Sequence, residues 1–138
     1  MKALDTNILV RFLVQDDEKQ ANKALQLFSE TEQLNQSLYV PLLVILEMIW
    51  VLQSAYNASR QDIILAITNL LQMSVLEFEN QGALRDFIIS ANKYSSDLSD
   101  TLISHSALSA ACETTLTFDK RASRFELFTL LELFNIRN

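Results

Sequence analysis

Apolar residues recur along the chain in two rhythms, separated by polar breaks. Brief runs at Ala3-Leu4, Leu38-Tyr39-Val40, Ser74-Val75-Leu76-Glu77-Phe78 and Thr115-Leu116-Thr117-Phe118 are too short for helices and read as strands. Phe128-Thr129-Leu130-Leu131 reads as a last edge strand, with a helical reading nearly as good. Elsewhere the spacing lengthens to three and four, the repeat of a helix with an apolar face. Asn7 is a suitable N-cap for a helix beginning at Ile8, apolar on most sides except at Arg11. Asp17 to Thr31 buries Ala21, Ala24, Leu25 and Phe28 in an amphipathic helix, after a break at Gln15-Asp16-Asp17-Glu18. Pro41 fits the first turn of a helix running from Leu42 to about Ala55. Further helices are expected over Arg60 to Gln72, capped near Ser59, and over Gln81 to Tyr94 and Asp97 to Cys112. Short strands separated by helices, with no repeat, low-complexity segment or linker, give one α/β domain over residues 1–138 with a mainly parallel sheet.

Composition agrees with a helix-rich domain. Hydrophobic residues make up 49% of the 138 positions and charged residues 20%, enough for a real core and unlike a disordered chain. One Gly and one Pro are few for a turn-rich β-sandwich or barrel. The apolar run from Pro41 to Leu52 has about 12 residues against the ~20 that span a bilayer, so a buried helix is expected there and no membrane segment. Asp5 follows Lys2 too closely to leave room for a signal-peptide apolar region. Cys112 is alone, so it offers neither an intramolecular disulfide nor a zinc cluster; flanked by Ala110 and Ala111, it is expected to be a small buried residue in a protein of the reducing cytoplasm.

Charge narrows the chemistry. Seventeen acids against 11 bases give a net charge of −6, which argues against sequence-independent nucleic-acid binding over the whole surface. It leaves room for a nucleic-acid enzyme whose acids gather round metal ions, and for a basic partner segment. The informative acids lie at strand ends or in apolar surroundings. Asp5 ends the first strand, and ligands of open α/β sheets bind beyond the carboxyl ends of strands. Asp119 repeats that pattern, and otherwise caps the turn Asp119-Lys120-Arg121-Ala122. Glu47 has Leu43, Val44, Trp50 and Val51 as helical neighbours; buried there it would need a cation, and otherwise it lies on a solvated strip. Asp97 and Asp100 share a helix face, Asp97 better placed to cap and Asp100 to project towards the sheet edge. His105, the one histidine, is expected to be structural or exposed. With no histidine at the site, carboxylates around Mg²⁺ or Mn²⁺ are the available means of activating water, since hard cations prefer oxygen ligands.

Leu4-Asp5-Thr6-Asn7-Ile8-Leu9-Val10, Val40-Pro41 with Leu46-Glu47, Asp97-Leu98-Ser99-Asp100-Thr101-Leu102-Ile103 and Leu116-Thr117-Phe118-Asp119 occur in an order and at spacings that resemble the PIN domain. Within that family they are similar to VapC-type ribonuclease toxins of bacterial toxin–antitoxin pairs, over essentially the whole chain. The resemblance implies a three-layer α/β/α sandwich with an acidic pocket at the carboxyl edge of its sheet. It implies metal-binding, catalytic acids at Asp5, Glu47, Asp100 and Asp119, with Thr6, Asn7 and Asp97 steadying them. It further implies an RNA substrate, a cognate antitoxin and a homodimer. Some relatives carry another acid after the fourth position, where Lys120 and Arg121 stand here; Lys120, Arg121 and Arg124 are instead candidates for RNA phosphates or a solvated charged turn.

Two readings compete with the toxin ribonuclease. A phosphoacceptor receiver expects adjacent acids after the first strand and a lysine at the last strand end, but Thr6 follows Asp5 and no lysine lies beyond Lys120. The other is a PIN module that binds RNA or protein without cutting.

Overall fold

The computed structural model describes residues 1–131, in an α/β arrangement in which every strand pairing is parallel. It divides into two compact units, Met1–Glu79 and a second beginning at Asn80.

The first unit runs β1 (Lys2–Ala3), α1 (Thr6–Val14), α2 (Glu18–Gln33), β2 (Leu38–Val40), α3 (Leu42–Ser54), α4 (Arg60–Leu71) and β3 (Leu76–Phe78). Its sheet has the order β1-β2-β3, with Ala3 opposite Tyr39 and Val40 opposite Phe78. Parallel neighbours cannot be joined by a tight hairpin, so helix pairs carry the chain back after β1 and after β2. All three strands consequently end at one edge of this sheet, where Asp5, Pro41 and Glu79 follow within two residues. In β2 the pleat buries Leu38 and Val40 and leaves Tyr39 half-exposed. The Phe12 and Phe28 rings meet edge to face at 5.0 Å, joining α1 to α2. Buried residues recur at helical spacing, Ile45, Met48, Ile49 and Leu52 on α3 and Ile63, Ile64, Ile67 and Leu70 on α4.

The second unit contains α5 (Gln81–Lys93), α6 (Leu98–Ser109), β4 (Thr115–Thr117), a 3-10 turn (Ala122–Arg124) and β5 (Phe128–Leu130). α5 and α6 pack together, and β4 pairs with β5 in parallel, Leu116 opposite Thr129. The strand reading of Phe128-Thr129-Leu130 is therefore the observed one. Buried Leu84, Phe87, Leu98 and Leu102 supply much of the apolar interior of this helix pair.

Several local expectations are corrected. The first helix begins at Thr6, and its cap is Asp5, whose Oδ1 accepts the Thr6 N–H at 2.7 Å; Asn7 lies inside the first turn. Leu25 on α2 is 44% exposed, outside the buried set of Ala21, Ala24, Phe28 and Thr31. Cys112 is exposed, because α6 ends at Ser109 and the chain has left the helix before reaching it. The turns are unusual in one respect. Among the described residues the left-handed positions are held by Gln15, Asn35, Asn57, Asn80 and Ala111, while Gly82 lies within α5 at a site where an added Cβ meets nothing within 4 Å.

Candidate active site

In the second unit, Asp97, Asp100, Asp119 and Arg121 line one pocket of about 370 Å³, whose apolar side includes Ala122, Phe125 and Phe128. Asp97 is there because α6 needs a cap: its carboxylate accepts the Asp100 N–H at 3.0 Å, leaving its other oxygen uncommitted by that bond. The same first turn is held from beneath. Thr101 Oγ1 donates to the Asp97 carbonyl at 2.7 Å, so in the 2.7 Å contact between the Ser96 and Thr101 hydroxyls Ser96 acts as donor. Ser104 then donates to the Thr101 carbonyl, and Ser96, Thr101 and Ser104 are all buried. This hydroxyl ladder fixes the turn that presents Asp97 and Asp100.

Asp119 follows β4 in a tightly bound loop. Its N–H donates to Thr117 Oγ1 at 3.0 Å, and its Oδ1 accepts the Arg121 N–H at 2.8 Å. Its carbonyl accepts the Ser123 N–H, which leads the chain into the 3-10 turn. Asp119 thus both caps its own turn and faces the pocket. The two readings of that residue coexist, because a carboxylate has two oxygens and the turn uses one. Arg121 lines the same pocket, whereas Lys120 and Arg124 are exposed residues outside its lining.

Electrostatics within this pocket are unfavourable to one acid. Burial, then the charges of Asp97 and Asp119, push the Asp100 carboxyl above its ordinary value. A half-buried carboxylate between two others favours either a proton or a cation.

In the first unit, Asp5 caps α1, and α1 packs against α3, which carries Glu47. Both side chains belong to exposed residues. The solvated strip is therefore the observed setting of Glu47, and the apolar border is exposed with it: Leu43 is 76% and Trp50 63% exposed. Thr6 is buried and gives Asp5 its backbone N–H; Asn7 is exposed. Sequence reasoning passed over Glu79, which ends β3 at the same sheet edge as Asp5 and caps α3 through a 3.0 Å bond from the Leu42 N–H. Its position directly after an alternating strand was the available signal.

Asp5 and Glu47 thus belong to one unit, and Asp97, Asp100 and Asp119 to the other. Among the described residues, no three His, Cys, Asp or Glu side chains stand close enough together to hold a metal ion. The donors on offer are nonetheless carboxylate oxygens, the kind a hard divalent cation takes. His105 lies outside this set: it is buried on α6, and its Nε2 is 2.7 Å from Ser90 Oγ on α5.

The chain is similar to a VapC ribonuclease of Aquifex aeolicus, at 28% identity over 130 residues that cover 94% of this chain and 96% of the relative. The PIN domain family model matches residues 2–127, from β1 through the end of the loop before β5, and the chain belongs to the PIN domain family.

Proposed function

We propose that this chain is a Mg²⁺- or Mn²⁺-dependent endoribonuclease that hydrolyses RNA phosphodiester bonds, the toxin of a type II toxin–antitoxin pair. The observation that carries this reading is that Asp97, Asp100 and Asp119 line one pocket, where the charges of the other two act on Asp100 and leave it in want of positive charge. The similarity to a VapC ribonuclease supports the choice of RNA as substrate. Asp5, Glu47, Asp100 and Asp119 are the residues that would hold the cation, and residues 1–138 act as one domain, as a family match running through both units favours. When bound, a divalent cation supplies acidity to water and charge to the phosphoryl oxygens. The chain's own groups do the rest. The Ser96–Thr101–Ser104 ladder keeps Asp100 aimed at the pocket, Asp97 and Thr6 fix the first turns of α6 and α1, and Arg121 meets a backbone phosphate. Lys120 and Arg124 extend that basic edge, and Asn7 lies two residues beyond Asp5, in the first turn of α1. The cytoplasm, where RNA and an antitoxin are both available, is the expected compartment, and no helix among the described residues is long and apolar enough to cross a membrane.

The test is RNA cleavage by Asp5→Asn and Asp100→Asn variants. Each is expected to lose roughly 100-fold or more in rate, the effect of several kcal/mol of lost charge stabilisation. Parent-level cleavage by either would sink the mechanism. The competing reading is a PIN module that binds RNA or protein without cutting. Calorimetric titration with Mn²⁺ separates the two, since no heat of binding would favour the inert module.

A further inference from the structure

A second pocket, of about 450 Å³, lies wholly within the first unit, between α1 and α2. Its floor is apolar, from Ile8, Ala24 and Leu27, and its polar groups are Asn7, Arg11, Gln20 and Lys23. On a chain of net charge −6, a pocket lined by two cations, two amides and no acid stands apart. The groove is also built rather than incidental. Arg11 Nε donates to Gln20 Oε1 at 2.7 Å, and Arg11 Nη1 donates to Asp16 at 3.1 Å and to the Tyr56 hydroxyl at 2.9 Å. Tyr56 in turn donates to the other Asp16 oxygen at 2.9 Å. This network fixes the guanidinium as a wall and leaves the Gln20 amide nitrogen as a donor. Asp16 balances Arg11, so the lining cation that no carboxylate of this pocket opposes is Lys23.

The position of the groove matters as much as its charge. Asn7 is two residues beyond Asp5, and Arg11 lies one turn further along the same helix, about 6 Å along the axis. The pocket therefore begins beside the corner that Asp5 occupies and leads away from it. We propose that the α1–α2 groove holds a backbone phosphate of the RNA flanking the one that is cut, with Lys23 as its charge partner and the Asn7 and Gln20 amides as donors. The proposal rests on the ribonuclease reading above. Amides and one lysine recognise phosphate without reading bases, so the contact positions the strand and carries no sequence preference.

The experiment uses the full chain carrying Asp100→Asn, a short fluorescein-labelled single-stranded RNA, and buffer free of divalent metal, so that binding is measured without cleavage. Anisotropy titrations compare this protein with versions that also carry Lys23→Ala, Lys23→Arg or, as a control outside the groove, Lys19→Ala. Lys23→Ala is expected to weaken binding roughly 3- to 10-fold and to lower the slope of log K against log salt by about one. Lys23→Arg should restore most of the loss, and Lys19→Ala should cost distinctly less. Binding and salt slope unchanged by Lys23→Ala, or a loss equalled by Lys19→Ala, would overturn the groove assignment while leaving the ribonuclease reading intact. If the Asp100→Asn protein binds no RNA and the parent cleaves none, the ribonuclease reading itself has failed and takes the groove with it.

Discussion

Asp100 is held in a state its neighbours disfavour. Its carboxyl titrates above the ordinary value because of burial and of Asp97 and Asp119. A raised carboxyl pKa means that the neutral form stabilises the fold; that contribution is full in acid and is lost as pH rises through the raised pKa. At neutral pH the metal-free protein therefore bears the repulsion. Replacing Asp100 by Asn should raise its Tm at pH 7 by about 1–3 °C, a small effect because a half-exposed carboxylate is screened by solvent. Mn²⁺ should raise the parent's Tm and leave the variant's nearly unchanged. A fall in Tm for the variant, or an equal Mn²⁺ shift in both, would remove this account of the pocket. These acids were legible in the sequence because their positions are set locally: a three-residue spacing at a helix start, or a strand end. Glu47 was not fully legible. Its apolar flanks are compatible with burial or with an exposed apolar strip, and only the packing of α3 through Ile45, Met48, Ile49 and Leu52 decides between them. Cys112 failed similarly, since two alanines beside it say nothing of where α6 stops.

Among the elements, the α5–α6 pair offers the clearest pH dependence. His105 is buried between them against Ser90, and burial lowers its pKa below the ordinary 6.5, while the charge of Asp86 on α5 pulls it back up. A histidine kept neutral by the fold contributes stability above its unfolded pKa, and loses it as pH falls through that value towards the lower folded one. Chemical denaturation should show the parent weakening as pH falls below about 6.5 more steeply than His105→Gln. Equal slopes would show that the imidazole does not titrate on unfolding. The elements themselves were readable from periodicity, and their ends shift by a residue or two where rival caps compete. Asp5 displaced Asn7 as the first cap because a carboxylate two residues earlier already meets the first N–H of α1. The pairing of β4 with β5 was less legible, since the alternation of Phe128-Thr129-Leu130 lasts only three residues before Leu131 breaks it, too short to exclude a helix. The groove between α1 and α2 was not legible at all, because Arg11, Gln20 and Lys23 meet only through the turn of the chain at Gln15.

At the scale of the whole molecule, the exposed apolar strip of α3 bears on association. We propose a homodimer and a cognate antitoxin as the partners, supported by apolar side chains that α3 leaves exposed, Leu43 and Trp50. Trp50 is the one tryptophan, so its emission reports on that strip directly. Emission should move to the blue as concentration rises through the dimerisation range, and sedimentation should show the dimer. A dimer whose Trp50 spectrum stays that of an exposed indole would place the interface elsewhere. The left-handed residues are spread across the molecule too, and they set how it resists unfolding. Ala111, at φ 66°, holds a conformation that costs an L-residue roughly 1–2 kcal/mol, so Ala111→Gly should gain in the native state. The observed gain should be smaller than that, because glycine also enlarges the ensemble that the unfolded chain explores. The same arithmetic runs in reverse at Gly82, in the first turn of α5, where Ala fits freely and the helix favours it by somewhat less than the ~1 kcal/mol of a helix interior. A chain that turns on asparagine, glutamine and alanine instead of glycine begins folding from a narrower set of conformations. Part of its stability therefore lies in the freedom its unfolded state never had.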